Sequence, residues 1–155
     1  PFYCPRDGGI YIDTSFYDQL AQMAGNEGDF ARLYVVAHEY GHHISYLIGT
    51  LGKVTGEKGP QSSGVRLELQ ADCLAGVWAY HADNGPDAML EPLTPTQIDT
   101  VIQTAKAIGD DTIQGANSNP EGWTHGSSEQ RARWFTVGYD SGDPRRCDTF
   151  ATNDL

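Results

Sequence analysis

No apolar run in this 155-residue sequence approaches the ~20 residues that a bilayer-spanning helix requires, so this stretch reads as soluble. Basic side chains are scarce too. Ten Lys and Arg, of which only Lys53, Lys58 and Lys106 are lysines, face 21 Asp and Glu, for a formal charge of −11. Such a surface repels a phosphate backbone and argues against nucleic acid as a partner. No segment has the ligand spacing of an EF-hand loop, so the acidity reads as solubility rather than calcium binding. Cysteines are few and odd in number: Cys4, Cys73 and Cys147 match neither a zinc ribbon nor a C-x-x-C pair, which removes them as a metal site. One disulfide and a spare thiol would suit an oxidising compartment, three reduced thiols a reducing one, and the count alone does not choose. Repeats and low-complexity tracts are absent. The chain opens on Pro1 rather than Met, which points to a processed chain or a piece of a longer one.

What is there suits one domain over residues 1–155 with a single core. Residues 10–16, IYIDTSF, alternate as a short edge strand should. A helix is predicted from Gly28-Asp29, with Asp29 as cap, to Gly49; its apolar stripe is Phe30, Leu33, Tyr34, Ala37, Tyr40, Gly41, Ile44 and Ile48. Residues 50–64 hold four glycines and a proline and read as a surface loop. A second helix, about Val65 to Ala82, has Ser63 as cap and Val65, Leu69, Cys73, Val77 and Trp78 inward, and stops before Asn84-Gly85-Pro86. A third opens on Thr94, Pro95 and Gln97, a capping box with proline at the first position, and runs towards Gly109. After a Gly/Asn/Asp-rich connection over 109–126, Ser127 and Gln130 form a second capping box before the last helix. The fold class is α+β, mainly helical with one small sheet.

Within the first of these helices, AHEYGHH places His38, Glu39 and His42 at H-E-x-x-H spacing. In a chain with 5 His and 7 Glu that pattern arises by chance about once in a hundred such sequences. At ~100° per residue His38 and His42 stand one turn apart on one face, where two imidazoles can share a zinc ion. Glu39 beside them can take a proton from a water at the open coordination position. A third ligand is needed downstream. The pattern H-E-x-x-H-x-x-G-x-x-H is excluded, because Ser45 and Ile48 stand at its glycine and last histidine. The second helix offers RLELQADCLAG, in which Glu68 and Asp72 share one face among apolar residues, where an unpaired carboxylate would be costly. Glu68 is the candidate ligand, and Asp72 the acceptor for the Nδ1 proton of a ligand histidine; Asp72 as the ligand is the alternative.

The remaining candidates are weaker. His125, just before the last helix, can hydrogen-bond an oxyanion, although a lone loop histidine is as readily solvated. His43 points ~140° away from His38 and is at most a neighbour of the site. His81 reads as surface, Tyr40 and Tyr46 as packing residues, and Arg131 and Arg133 as a solvated helix face rather than a grip on a substrate carboxylate.

Taken together, AHEYGHHISYLIG, RLELQADCLAGVWA, THGSSEQRARWF and GDPRRCDTF, with FYCP and YIDTSF at the start, resemble the bacterial neutral zinc metallopeptidase family over nearly the whole chain. The H-E-x-x-H plus E-x-x-x-D arrangement is also similar to the gluzincin, thermolysin-like peptidases. The resemblance implies a zincin-like core, one Zn2+ per chain on His38, His42 and Glu68, Glu39 as general base and Asp72 behind the ligands. It implies a peptide or protein substrate and an extracytoplasmic protein whose relatives are anchored by a spanning helix that lies outside this stretch. In those relatives the earlier region carries a cysteine able to pair with Cys4, which would leave Cys73 to pair with Cys147. The expectation is therefore a zinc peptidase; the rival is a zinc-stabilised binding or scaffold domain of the cell envelope that does not turn over.

Overall fold

A computed structural model describes residues 1–25, 28–115 and 117–155; Ala116, inside the predicted 109–126 connection, lies outside them. Two short strands, β1 (Phe2–Cys4) and β2 (Gly9–Tyr11), pair antiparallel with Tyr3 opposite Ile10. Asp7 closes the turn by accepting from the Gly9 amide at 2.8 Å and the Tyr11 hydroxyl at 2.6 Å. The predicted strand over 10–16 is thus cut short. Asp13 accepts from the Ser15 amide and hydroxyl, and helix α1 (Ser15–Ala24) starts there instead. The alternation in IYIDTSF hides this helix because its first turn begins inside the apparent strand. Leu20 is its buried anchor, and Gly25, at φ +68°, ends it in a left-handed turn that a side chain would resist.

Helix α2 (Asp29–Leu47) is the predicted histidine helix, with two corrections. Gly28 is the N-cap and Asp29 the first helical residue, where its charge still favours the positive end of the helix dipole. The buried line is Ala31, Tyr34, Val35, His38, Gly41, His42 and Ser45, whereas Tyr40 and Ile48 are exposed. The polar residues of the motif thus occupy the inner face.

Beyond a loop with one 3-10 turn, Leu51–Lys53, helix α3 (Ser63–Asp83) is capped by Ser62, whose hydroxyl accepts from the Val65 amide, not by Ser63 as expected. Helix α4 (Pro95–Ala107) and, further on, helix α6 (Ser128–Ser141) carry both predicted capping boxes. Between them lie a single-turn helix, α5 (Asp110–Ile113), and a 3-10 turn, Pro120–Gly122. A further 3-10 turn, Pro144–Cys147, leads into a tail of turns and bends that Arg66 ties down at the Thr149 carbonyl and that buries Leu155.

The fold is mainly helical around α3, which packs chiefly on α6 and α2. Both approaches are too close for a side chain. A methyl group at Gly138 would sit 1.9 Å from the Cys73 carbonyl oxygen, and one at Gly41 would sit 2.8 Å from that of Ala71. One apolar cluster gathers Leu20, Tyr34, Val35, Ala75, Val101 and Phe135; another, beside it, gathers Val65, Leu69, Val77, Trp134 and Leu155 around a Cys73–Cys147 disulfide. Cys4 is free. No helix among the described residues is long and apolar enough to cross a membrane.

Candidate metal centre

The close approach of α2 to α3 sets Glu68 against both histidines of α2. Its Oε2 lies 3.2 Å from His38 Nε2 and its Oε1 lies 3.4 Å from His42 Nε2. One donor atom from each of the three residues falls within 4.8 Å of the others. Two bonds of ~2.0–2.1 Å at a tetrahedral angle hold their donor atoms ~3.3–3.4 Å apart, so both Glu68 contacts are compatible with a shared zinc ion. The chemistry of the set, two imidazoles and one carboxylate, also fits zinc at a site that keeps a fourth position open.

Behind these three donors stands a buried charged cluster. Asp72, fully buried, accepts from His38 Nδ1 at 2.7 Å and from the Tyr34 hydroxyl at 2.5 Å. Arg131 of α6, 3% exposed, grips the same carboxylate through Nε at 2.8 Å and Nη2 at 3.1 Å. A proton on Nδ1 leaves Nε2 of His38 turned towards Glu68 with its lone pair free, the tautomer that could hold a metal. Asp72 is therefore on the far side of the imidazole from Glu68. It is not one of the three converging donors, and Glu68 is.

The electrostatics follow from burial and pairing. Burial works against the charged form of His38, but Asp72 and then Glu68 outweigh it and push the imidazole up to about 9. Burial would raise Glu68 and Asp72; the histidines hold Glu68 well below the usual carboxylate range, and Arg131 with His38 lowers Asp72. For Arg131 burial disfavours charge and Asp72 restores it, so the guanidinium stays firmly protonated. Tyr34 is driven up, first by burial and then by Asp72, against the pull of Arg131. The rise at His38 favours a proton on Nε2 shared with Glu68 in the metal-free protein, a proton that a bound metal has to displace.

A cavity of about 480 Å³ opens onto this cluster. His38, His42, Glu68, Glu39 and His125 line it together, with Phe2, Phe16, Leu51, Leu67 and Ile113 among its apolar walls. Glu39 is 6% exposed. The His125 side chain is half exposed, on a loop fixed by Asp110, whose Oδ2 accepts from the amides of Thr124, His125 and Gly126. His43 bonds the Tyr3 hydroxyl at 3.0 Å, and His81, on the surface, bonds the Gly142 carbonyl. Tyr40 and Tyr46 are about half exposed rather than packed inside.

Arg133 is exposed and pairs with Asp154, as a solvated face should. Arg131 is the correction. It is buried at the centre, and the regular spacing of charge in SSEQRARWF disguises it. Its one sequence signal is position, four residues before the buried Phe135.

A family model described as "Putative neutral zinc metallopeptidase" matches residues 1–150. An uncharacterized protein of Mycobacterium tuberculosis H37Rv is 52% identical over 165 residues, covering 100% of this chain and 56% of its own length. The uncharacterized protein YpfJ of Escherichia coli K12 is 45% identical over 159 residues, covering 97% of this chain and 54% of its own. The chain thus spans about half the length of these relatives. No solved structure matches it significantly.

Proposed function

The chain belongs to the putative neutral zinc metallopeptidase family, and from that premise we propose that it is a zinc-dependent peptidase with a gluzincin-like centre. The observation that carries the reading is the convergence of His38, His42 and Glu68 in a cavity that Glu39 also lines. Glu39 is not needed to hold metal, and a carboxylate beside the open face of a zinc site has an evident use as a base.

When bound, zinc supplies Lewis-acid polarisation of the scissile carbonyl and lowers the pKa of a water towards ~7. Glu39 takes a proton from the attacking water and delivers it to the leaving amine nitrogen as the C–N bond breaks. His125, with Nδ1 accepting from the Thr124 hydroxyl at 2.9 Å, keeps its proton on Nε2, which can then donate to the carbonyl oxygen as negative charge develops there. The apolar walls suit a peptide with bulky apolar side chains near the cleaved bond. The disulfide between Cys73 and Cys147 supports an extracytoplasmic location, in line with thiol chemistry in oxidising compartments.

The test is elemental analysis of the purified protein beside His38→Ala and Glu68→Ala. About one zinc per chain, lost in both variants and accompanied by cleavage of a mixed peptide library, is expected. No zinc after loading and removal of excess overturns the metal centre; zinc without cleavage leaves the rival scaffold reading in its place.

A further inference from the structure

Nothing in the proposed chemistry uses Arg131, yet its guanidinium is buried and held on several sides. It reaches Asp72 with two nitrogens, the Ile108 carbonyl with a third at 3.2 Å, and the Tyr34 hydroxyl at 3.4 Å. It also lines the cavity, with Nη2 3.4 Å from His38 Nδ1. Burying a guanidinium and a carboxylate at 3% and 0% exposure is rarely a net gain in stability over apolar packing, so the pair calls for a role beyond holding helices together.

We propose that Arg131 is a positioning residue of the metal centre: its two-pronged grip on Asp72 turns that carboxylate towards His38 Nδ1 and keeps it from competing with Glu68 for the metal. The inference rests on the zinc reading above. Two carboxylates, Glu68 and Asp72, stand four residues apart on α3, one turn of the same helix, and either is long enough in principle to approach the histidines. What separates them is the partner. Glu68 faces His38 and His42, whereas both oxygens of Asp72 are occupied from α6, with Tyr34 and His38 sharing Oδ1. A planar fork fixes both oxygens of a carboxylate at once, which a lysine ammonium cannot do. A ligand histidine whose outer partner is thus fixed presents Nε2 in one direction. Loss of such partners commonly weakens metal binding 10–100-fold.

The test is a double-mutant cycle read in zinc affinity, by competition with a chelator at fixed pH, on the protein and on Arg131→Lys, Asp72→Asn and the pair together. Cobalt(II) absorption of each loaded form reports the ligand set. Expected are a 10–100-fold loss for Asp72→Asn, a comparable loss for Arg131→Lys, and a double variant little weaker than either single one, because the two act as a unit. Arg131→Met should lose more than the lysine variant, and its cobalt spectrum should change as Asp72 is released. If zinc affinity and cobalt spectrum stay at the parent's values while only the melting temperature of the metal-free protein falls, Arg131 is a packing residue and the proposal is overturned. Independent, additive losses overturn it as well. Should Arg131→Met fail to fold, Arg131→Lys, which keeps the charge, decides the outcome by the same two readouts. A parent that binds no zinc overturns the metal reading itself, and this inference with it.

Discussion

Two neighbouring sides of α3 are held inside the protein by opposite means. One presents Glu68 and Asp72 to a cluster in which every charge has a named partner at hydrogen-bonding distance. The other presents Val65, Leu69, Cys73 and Val77 to an apolar cluster, where each buried Val or Leu contributes roughly 1.5–3 kcal/mol by leaving water and no single geometry is required. Apart from Cys73, held by its bond to Cys147, the apolar side tolerates changes of identity and resists changes of volume. The charged side accepts neither, since removing one partner leaves another buried charge unpaired. One helix therefore separates what the fold needs from what the chemistry needs.

The sharpest way to break that separation is at the base. Glu39→Gln should lower peptide cleavage about 10²–10⁴-fold, with zinc content and melting temperature unchanged; a variant that cleaves as fast as the parent would remove Glu39 from the mechanism. Cys147→Ser attacks the other side. It opens a cross-link spanning 74 residues and should cost about 2–5 kcal/mol in denaturant unfolding, while the zinc affinity of molecules that remain folded stays within a few-fold. A large loss of zinc affinity there would show that the two sides are one unit.

Acidity sharpens the comparison further. His38 in the metal-free protein is raised from an ordinary 6.5 to about 9, so its contribution to stability is fully present below 6.5 and is lost as pH rises through 9. Zinc needs Nε2 without its proton. Zinc affinity should therefore rise about tenfold per pH unit across the same window in which the metal-free protein becomes less stable, measured by metal competition and by thermal melts. The smallest effect is expected at Gly41→Ala. Its methyl group would press the Ala71 carbonyl and part α2 from α3, costing about 1–3 kcal/mol in stability and weakening zinc more than an alanine placed elsewhere on α2.

Much of the site is legible in the sequence because its residues lie at local spacing. His38, Glu39 and His42 repeat with the turn of one helix, and Glu68 and Asp72 with the turn of another, so each pair can be placed on a face before any packing is known. The two capping boxes mark the starts of α4 and α6 for the same reason: capping is chemistry within three residues. Arg131 is not legible, because its partners, Asp72 and Tyr34, lie 59 and 97 positions away. An arginine between Gln130 and Ala132 looks the same in sequence whether its helix shows that face to water or to another helix. Helix α1 is hidden for a different reason: its start depends on an aspartate side chain bonding two residues ahead, which competes with the alternation of a strand. Tyr40, Tyr46 and Ile48 lie outside the expected packing because apolar character is a poor guide to burial where polar ligands claim the inner face.

Arg131 also gives the centre a place in the order of synthesis. His38 and His42 need only α2 and α3 to meet Glu68, and both helices precede residue 84; the guanidinium that restrains Asp72 arrives on α6, after residue 127. A nascent chain emerging at ~5–20 residues per second thus carries all three donors for seconds before the helix that arranges them. The proposed centre therefore depends on a later helix: its three donors come from α2 and α3, and the restraint on Asp72 is supplied only by α6.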